Sequence, residues 1–463
     1  MSAALDAARE LLGDARAWVV GGAVRDRLLH RPVDDVDLVL DGDVRAAARH
    51  LAVGVGGPAF PLSDAFGGWR VLAPGRDWQV DLVPLRGGSI EADVGLRDFT
   101  VNAIAEPLGG GPLVDPHDGV GDLASGRLRM VAPCAFADDP LRVLRLARLA
   151  CELGLEPDRA SVAAARAEAT GAAGIAQERV FAELKRVVAA PAVLHGFELM
   201  ERLGLYEALL PELAACRGMA QNRFHHLDVH DHTLATLQVA VDLEAQPQTL
   251  VGEEHAAGVT ALLAEPLADG LTRGVALRFG ALLHDIAKPA TRDVLDDGRV
   301  TFIGHDTAGA QLGREILARW KASERLRAHV AALTRHHLRL GYLVREQPLG
   351  RRTVYRYLTA CEPVAADVTL LTVCDRVATR GDNARPAISA HLALAREILH
   401  DALAWHDAAR PAPLVRGDEL ARALGVDPGP RLGTLLAAIA EARWAGEIAT
   451  KDEAVALARS LGA

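Results

Sequence analysis

Asp35 and Asp37 flank Val36 at the head of an apolar run that continues as Leu38-Val39-Leu40. Alternate residues of a strand share a face, so the two carboxylates stand side by side. Like charges that close repel unless a cation lies between them. A pair of Mg²⁺ ions is the usual solution where a nucleoside triphosphate is cleaved by a hydroxyl. A solvated strand edge is the rival reading, and the apolar company of the acids disfavours it. Asp81, within Val80-Asp81-Leu82-Val83, offers a third carboxylate on a neighbouring strand, or else an ordinary polar strand position. Upstream, Val19-Val20-Gly21-Gly22-Ala23-Val24-Arg25-Asp26 reads as strand, glycine turn and helix. Gly21 and Gly22 allow backbone N–H groups to approach a phosphate with no Cβ in the way, and Arg25 could add a bidentate contact. A Gly-Gly turn alone is more often structural; the acids that follow give it meaning.

A second constellation lies far downstream. Leu283-His284-Asp285-Ile286-Ala287-Lys288 ends an apolar helix, with His232 before it and Asp375 after it. The order His…His-Asp…Asp is the signature of HD phosphohydrolases. Imidazole and carboxylate together suit Mn²⁺, Ni²⁺ or Zn²⁺, which would supply a metal-bound water to hydrolyse a phosphoester. His305, His336 and His337 are candidates for a second metal or for phosphate, and Asn222–His226 for the entrance. The rival reading is a remnant fold whose histidines are satisfied by helix packing.

Between the two lies Asp138-Asp139-Pro140-Leu141-Arg142. An acid before a proline suits a helix N-terminus, so capping alone could explain it. Arg142 nevertheless follows Asp139 by three residues, one helical turn, and the two side chains can point together. A carboxylate accepts from an exocyclic amine and a guanidinium donates to a ring acceptor. Cytosine and adenine present that edge; uracil and guanine present a carbonyl where the amine should be. Arg145 and Arg148 extend the stripe, towards phosphate or towards solvent. Glu178-Arg179 and Glu183 follow, with an Arg179–Glu183 salt bridge as the plain reading.

The elements that must position these groups are of two kinds. Residues 1–17 suit a helix, while Ala17–Val20, Val36–Leu40 and Gln79–Pro84 suit strands. From Pro140 onward, Ala/Leu/Arg stretches at helical spacing dominate, with a boundary at Leu210–Leu213 and room for a loop within Leu243–Asp269. Pro411 and Pro413 mark a linker to a last helical segment. The expected fold class is α+β: a small mixed-sheet head over 1–133, a helical neck over 134–213, a helical body over 214–405 and a helical tail over 406–463.

The 463 residues exceed one core, and no window of about 18 apolar residues offers a membrane span. The N-terminus lacks a signal-peptide apolar stretch. Five cysteines without Cys-x-x-Cys spacing argue against a disulfide framework or thiolate zinc, and a reducing cytoplasm fits. A net charge of −10 argues against indiscriminate nucleic-acid binding, though not against a local basic stripe.

The Gly-Gly-Ala-Val-Arg-Asp turn, the Asp-x-Asp strand and Arg97-Asp98-Phe99-Thr100-Val101-Asn102-Ala103-Ile104-Ala105 together resemble the class II tRNA nucleotidyltransferase and bacterial poly(A) polymerase superfamily. The resemblance implies that Arg97, Asp98 and Asn102 bind the sugar and phosphates of an incoming nucleotide. It also implies that Asp139 and Arg142 choose the base, and that Asp115–Asp122 support head–neck geometry. The family's Glu-Asp-x-x-Arg motif has Asp138 in place of Glu here. CTP and ATP would be the nucleotides and tRNA the acceptor, with a 2′,3′-cyclic phosphate as a substrate for the HD site. Only Gly87–Leu96 fills the place of the flexible loop that helps CCA-adding members switch from C to A, so CC-only addition with a partner enzyme is an alternative. Poly(A) addition and an RNA-binding module with decayed sites are the further rivals.

Overall fold

The computed structural model describes residues 2–63, 67–382, 384–407 and 412–462. The chain is α+β and divides into two compact units, Met1–Leu209 and Leu210–Ala463.

The first unit opens with helix α1 (Ala3–Leu12), shorter than the expected 1–17, followed by β1 (Ala17–Val20), α2 (Gly22–Leu28), β2 (Asp35–Leu40) and α3 (Val44–Val55). Next come β3 (Ala59–Ser63), β4 (Gly68–Leu72), β5 (Gln79–Pro84), α4 (Ile90–Val94) and β6 (Ala105–Pro107). The six strands form one sheet in the order β3-β4-β5-β2-β1-β6. Only β2 and β5 pair in parallel; the other neighbours are antiparallel. Alternation sorts the side chains. Val36, Leu38, Leu40, Val71, Val80 and Leu82 enter a core with α1 and α3. Val20 and Val39 face the other way, into a smaller cluster with Ile90 and Val94 of α4. The strand β3 carries Pro61 and a register irregularity between Pro61 and Ser63. The segment expected to be a truncated loop is a compact turn and helix: Ser89 caps α4, its hydroxyl receiving the Ala92 amide at 3.2 Å.

The unit ends in helices Leu141–Leu153, Gln177–Ala189 and Val193–Leu203, whose apolar stripes pack together. The head strands and these neck helices lie within one compact unit.

The second unit is almost wholly helical. Leu243–Asp269, read as a possible loop, holds helices Gln248–Val251 and Glu253–Ala264. Helix Arg273–Leu283 is buried along its whole length and delivers His284 and Asp285 at its C-terminal end. The expected boundary at 405/406 falls inside helix Ala384–Asp407. Pro411 lies outside the described residues. The tail helices Gly417–Leu424, Pro430–Trp444 and Lys451–Ser460 share a small core around Leu420, Leu435 and Ile439. Among the described residues, no single helix is long and apolar enough to cross a membrane.

Candidate active sites

The parallel register of β2 and β5 sets Asp37 beside Asp81 and Asp35 beside Gln79, so the three acids project from one face. Asp37 is accessible to water yet walled by a cleft. Lost hydration is the main cause that raises its pKa; Arg97 opposes it, and Asp81 and Asp35 add to it. Asp35 is raised in the same way, by burial and then by Asp81. Protons therefore compete for a site that a divalent cation would satisfy better. Asp81 is held differently. Arg70 of β4, its register partner, grips it through Nε and Nη2, both at 2.7 Å. Arg70 escaped the sequence reading; the alternation Arg70-Val71-Leu72 behind a glycine pair was the available signal.

Beside Asp37 opens a cleft of about 710 Å³, within the roughly 300–1,000 Å³ range of small-molecule sites. Gly21, at the turn into α2, has φ +71°, and a Cβ there would lie 2.7 Å from the Arg97 guanidinium. Glycine is thus required for both conformation and space. Gly22 lines the same floor. Arg97 contributes an Nε that is buried without a hydrogen-bond partner. Arg25 lines the cleft, but its donors are committed: Nε and Nη2 bind Asp26 at 2.9 and 2.8 Å, and Nη1 binds Asn102 at 2.6 Å. A free phosphate fork was expected there; Arg25 instead braces Asn102.

Asn102 in turn donates to Asp98 at 2.9 Å, and Asp98 receives Arg145 at 3.0 Å. Burial alone would raise the Asp98 pKa, but Arg145 and Asn102 outweigh it and hold the carboxyl low. Glu183 takes Arg145 at 3.1 Å and Arg148 at 2.5 Å; Glu152 takes Arg148 at 2.8 Å and Arg186 at 2.6 Å. This chain ties the cationic wall of the cleft to the neck helices. The expected Arg179–Glu183 bridge gives way to it: Glu183 serves the cleft arginines, and Arg179 binds Asp139 at 2.7 Å.

The pair expected to read the base is divided. The neck helix starts at Leu141 with Pro140 at its N-cap, and Asp139, just before it, accepts the Leu141 amide at 3.2 Å as a capping acid would. Arg142 lines the cleft and donates to the carbonyls of Leu96 at 2.9 Å, Ala135 at 3.1 Å and Arg97 at 3.3 Å. Asp139 receives the Leu141 amide and Arg179, and does not line the cleft. Of the Asp115–Asp122 stretch, Asp115 receives the Gly119 and Val120 amides, and buried Asp122 ties Thr100 to Arg129.

In the second unit, Asp228 caps helix Val229–Ala245 and sets His232 in its first turn. His232 Nε2 lies 3.1 Å from Asp375 and 3.6 Å from Asp285. His284 Nε2 lies 3.2 Å from Asp285, which also receives Lys288 at 2.5 Å and meets His305 at 3.3 Å and His337 at 3.9 Å. The ligand atoms form two groups, His232/His284/Asp375 and Asp285/His305/His337. Three rings turn Nδ1 to a backbone carbonyl: His284 to Ala281, His305 to Phe302 and His337 to Thr334. Donation from Nδ1 leaves Nε2 a bare lone pair. The Nε2 atoms of His232 and His284 are buried and make no aligned hydrogen bond to the carboxylates beside them, and those of His305 and His337 face each other at 3.3 Å. Convergent lone pairs among carboxylates fit a divalent metal. His336 does not join them; its Nδ1 accepts from Arg339 at 2.8 Å, outside the cluster. Helical geometry explains this, since adjacent residues point about 100° apart. His225 stacks edge-on against His232 and lines the approach.

Residues 17–57 match the family described as poly A polymerase head domain, 154–217 the probable RNA and SrmB-binding site of polymerase A, and 229–380 the HD domain. The chain is 39% identical to an A-adding tRNA nucleotidyltransferase of Deinococcus radiodurans, over 95% of this chain and 94% of that protein. It is 34% identical to a CC-adding tRNA nucleotidyltransferase of Thermus thermophilus, over 95% and 92%. In fold it is similar to a CCA-adding enzyme solved with ATP, with TM-score 0.61 and 18% identity over 98% of this chain and 93% of that one.

Proposed function

Because the chain belongs to the tRNA nucleotidyltransferase family, we propose that it extends tRNA 3′ ends without a template, using CTP, ATP or both, and that its HD domain hydrolyses phosphoesters. The observation that carries the first part is the carboxylate trio on one sheet face beside an arginine-walled cleft. Asp35 and Asp37 would hold Mg²⁺, which when bound lowers the cost of charge on the attacking and leaving oxygens. The protein's own groups do the rest. The Gly21–Gly22 turn admits the phosphates, Arg97 meets their charge, and Asp98 and Asn102 hold Arg145 and Arg25 in place. Base choice falls to Arg142 at the cleft wall and to Asp139, which must release Arg179 to face a base.

For the second part, His232, His284, Asp285 and Asp375 would hold a divalent transition metal, with His305 and His337 adding ligands. Lys288, against Asp285, would meet the phosphate. A 2′,3′-cyclic phosphate on an RNA end is the substrate of choice, because water that breaks its P–O3′ bond leaves a 2′-phosphate and a free 3′ hydroxyl that can be extended.

Addition of the terminal AMP alone is a second reading, supported by the 39% identity to a protein named A-adding. The compact 87–96 segment supports addition of CMP alone. One assay separates them. The enzyme receives tRNA lacking all three terminal nucleotides, ending in CC, or ending in a cyclic phosphate, with CTP and ATP supplied singly. Extension of the first substrate by CTP and of the second by ATP is the outcome for full CCA addition. Extension of neither would sink the transferase reading.

A further inference from the structure

The row of the sheet that carries Asp37 continues past the carboxylates. Asp37 pairs with Asp81, Asp81 with Arg70, and Arg70 with Phe60. Cross-strand partners share a face, so these four side chains project together across β2, β5, β4 and β3. The residues one step along, Val36, Val80, Val71 and Ala59, turn to the opposite face and belong to the core. Phe60 is therefore spare to that core. It stands 39% exposed on the edge strand. At a strand spacing of about 4.8 Å it lies roughly 10 Å from Asp81 and roughly 14 Å from Asp37.

The nucleotide cleft opens beside Asp37 and includes Gly21, Arg97 and Arg145, whereas Asp35, Asp81, Arg70 and Phe60 line none of it. An in-line displacement needs the attacking hydroxyl opposite the departing pyrophosphate. With the triphosphate in the cleft, the acceptor must reach Asp37 from the β3 side. What arrives there is an unpaired RNA end, a run of π-faces joined by phosphates. An exposed aromatic ring next to an arginine is the surface that receives such a strand. At roughly 3.4 Å per stacked base, about three or four nucleotides span the distance from Asp37 to Phe60. Another protein strand is a poorer occupant, because Pro61 and the irregular register spoil the β3 edge for pairing.

We propose that Phe60, with Arg70 beside it, forms a stacking platform for the last unpaired bases of the acceptor RNA. This rests on the transferase reading and adds a separate acceptor subsite to it. The test compares Phe60→Ala and Phe60→Trp with the parent enzyme, using an acceptor tRNA that carries 2-aminopurine near its 3′ end. Val53→Ala, at an exposed position of α3 against the opposite face, serves as control. Phe60→Ala should raise the KM for tRNA about 5- to 150-fold, the range of one lost base–aromatic stack, and abolish the quench of 2-aminopurine on binding. Nucleotide affinity and kcat at saturating tRNA should stay within about twofold, Phe60→Trp should restore both losses, and Val53→Ala should match the parent. An unchanged tRNA KM and quench in Phe60→Ala, with a parent enzyme that extends RNA, would overturn the platform alone. Lower nucleotide affinity or a lower Tm in that variant would overturn it too, by assigning Phe60 to folding. A parent enzyme that quenches through Phe60 but extends nothing would keep the platform and end the transferase reading.

Discussion

At the scale of single residues, Asp37 and Gly21 carry distinct and testable loads. Asp37→Asn removes a charge from the point where β2, β5 and the cleft meet. Nucleotide addition should fall about 100- to 1,000-fold, the usual cost of losing one group that stabilises developing charge. The metal content of the second unit, read by plasma emission, should not change; a joint loss in a folded protein would contradict separate sites. Gly21→Ala forces a Cβ into the left-handed region and against Arg97. The strain is worth about 1–3 kcal/mol, so KM for the nucleotide should rise about tenfold and Tm fall by a few degrees. A Tm change without a change in KM would place Gly21 in folding only. The placement of such residues was legible because it is local: Asp-x-Asp in an apolar strand sets both acids on one face, and the Gly-Gly turn, weak alone, takes its meaning from the acids that follow. The pairings were not: Arg70 went unnamed, and Asn102 and Glu183, though named, meet Arg25 and Arg145 from distant stretches of chain.

Elements set those partners. Strands β1, β2 and β5 were readable as apolar runs between turns, whereas β3 hid behind Pro61 and β4 behind Trp69-Arg70. The neck helix Gln177–Ala189 works through Glu183, which holds Arg145 and Arg148 at once. Glu183→Gln leaves both arginines underpaid in charge, and hydrogen bonds to charged groups contribute about 1.5–3 kcal/mol each. KM for the nucleotide should rise about tenfold with little change in kcat; an equal fall in kcat alone would argue against a positioning role. In the second unit, Arg273 at the start of one long helix binds buried Asp367 on helix Ala365–Ala378, at 3.0 Å through Nε. Burial would raise the Asp367 pKa, but His329 and Arg273 outweigh it and depress it. A depressed carboxylate contributes stability above its unfolded pKa and loses it as pH falls through the folded one. Arg273→Met should cost about 3–5 kcal/mol. His329 then remains beside Asp367 and is charged only when protonated, so the variant should melt higher at pH 5 than at pH 7.5 while the parent does not. Melting curves at the two pH values decide it.

For the molecule as a whole, the two proposed metal sites would draw on different ligand sets, oxygen in the head and mainly imidazole in the body. After chelation and dialysis, Mg²⁺ alone should restore nucleotide addition, and hydrolysis of a cyclic phosphate should return only with Mn²⁺, Ni²⁺ or Zn²⁺. Recovery of both by Mg²⁺ would contradict the imidazole assignment. The order of head, neck, body and tail was legible along the sequence because composition shifts with each. The union of head and neck in one unit was not, since it depends on the Asp98–Arg145–Glu183 chain of contacts.

The open flank of β3 carries a hazard of its own, because a bare sheet edge invites neighbours in solution to join it and grow into insoluble ribbons. Pro61 offers no N–H to such a neighbour. Restoring that amide with Pro61→Val should leave the fold intact yet turn a clear concentrated solution cloudy. The irregular strand end would then be what lets an oily ring sit uncovered beside the acids without gluing one copy to the next.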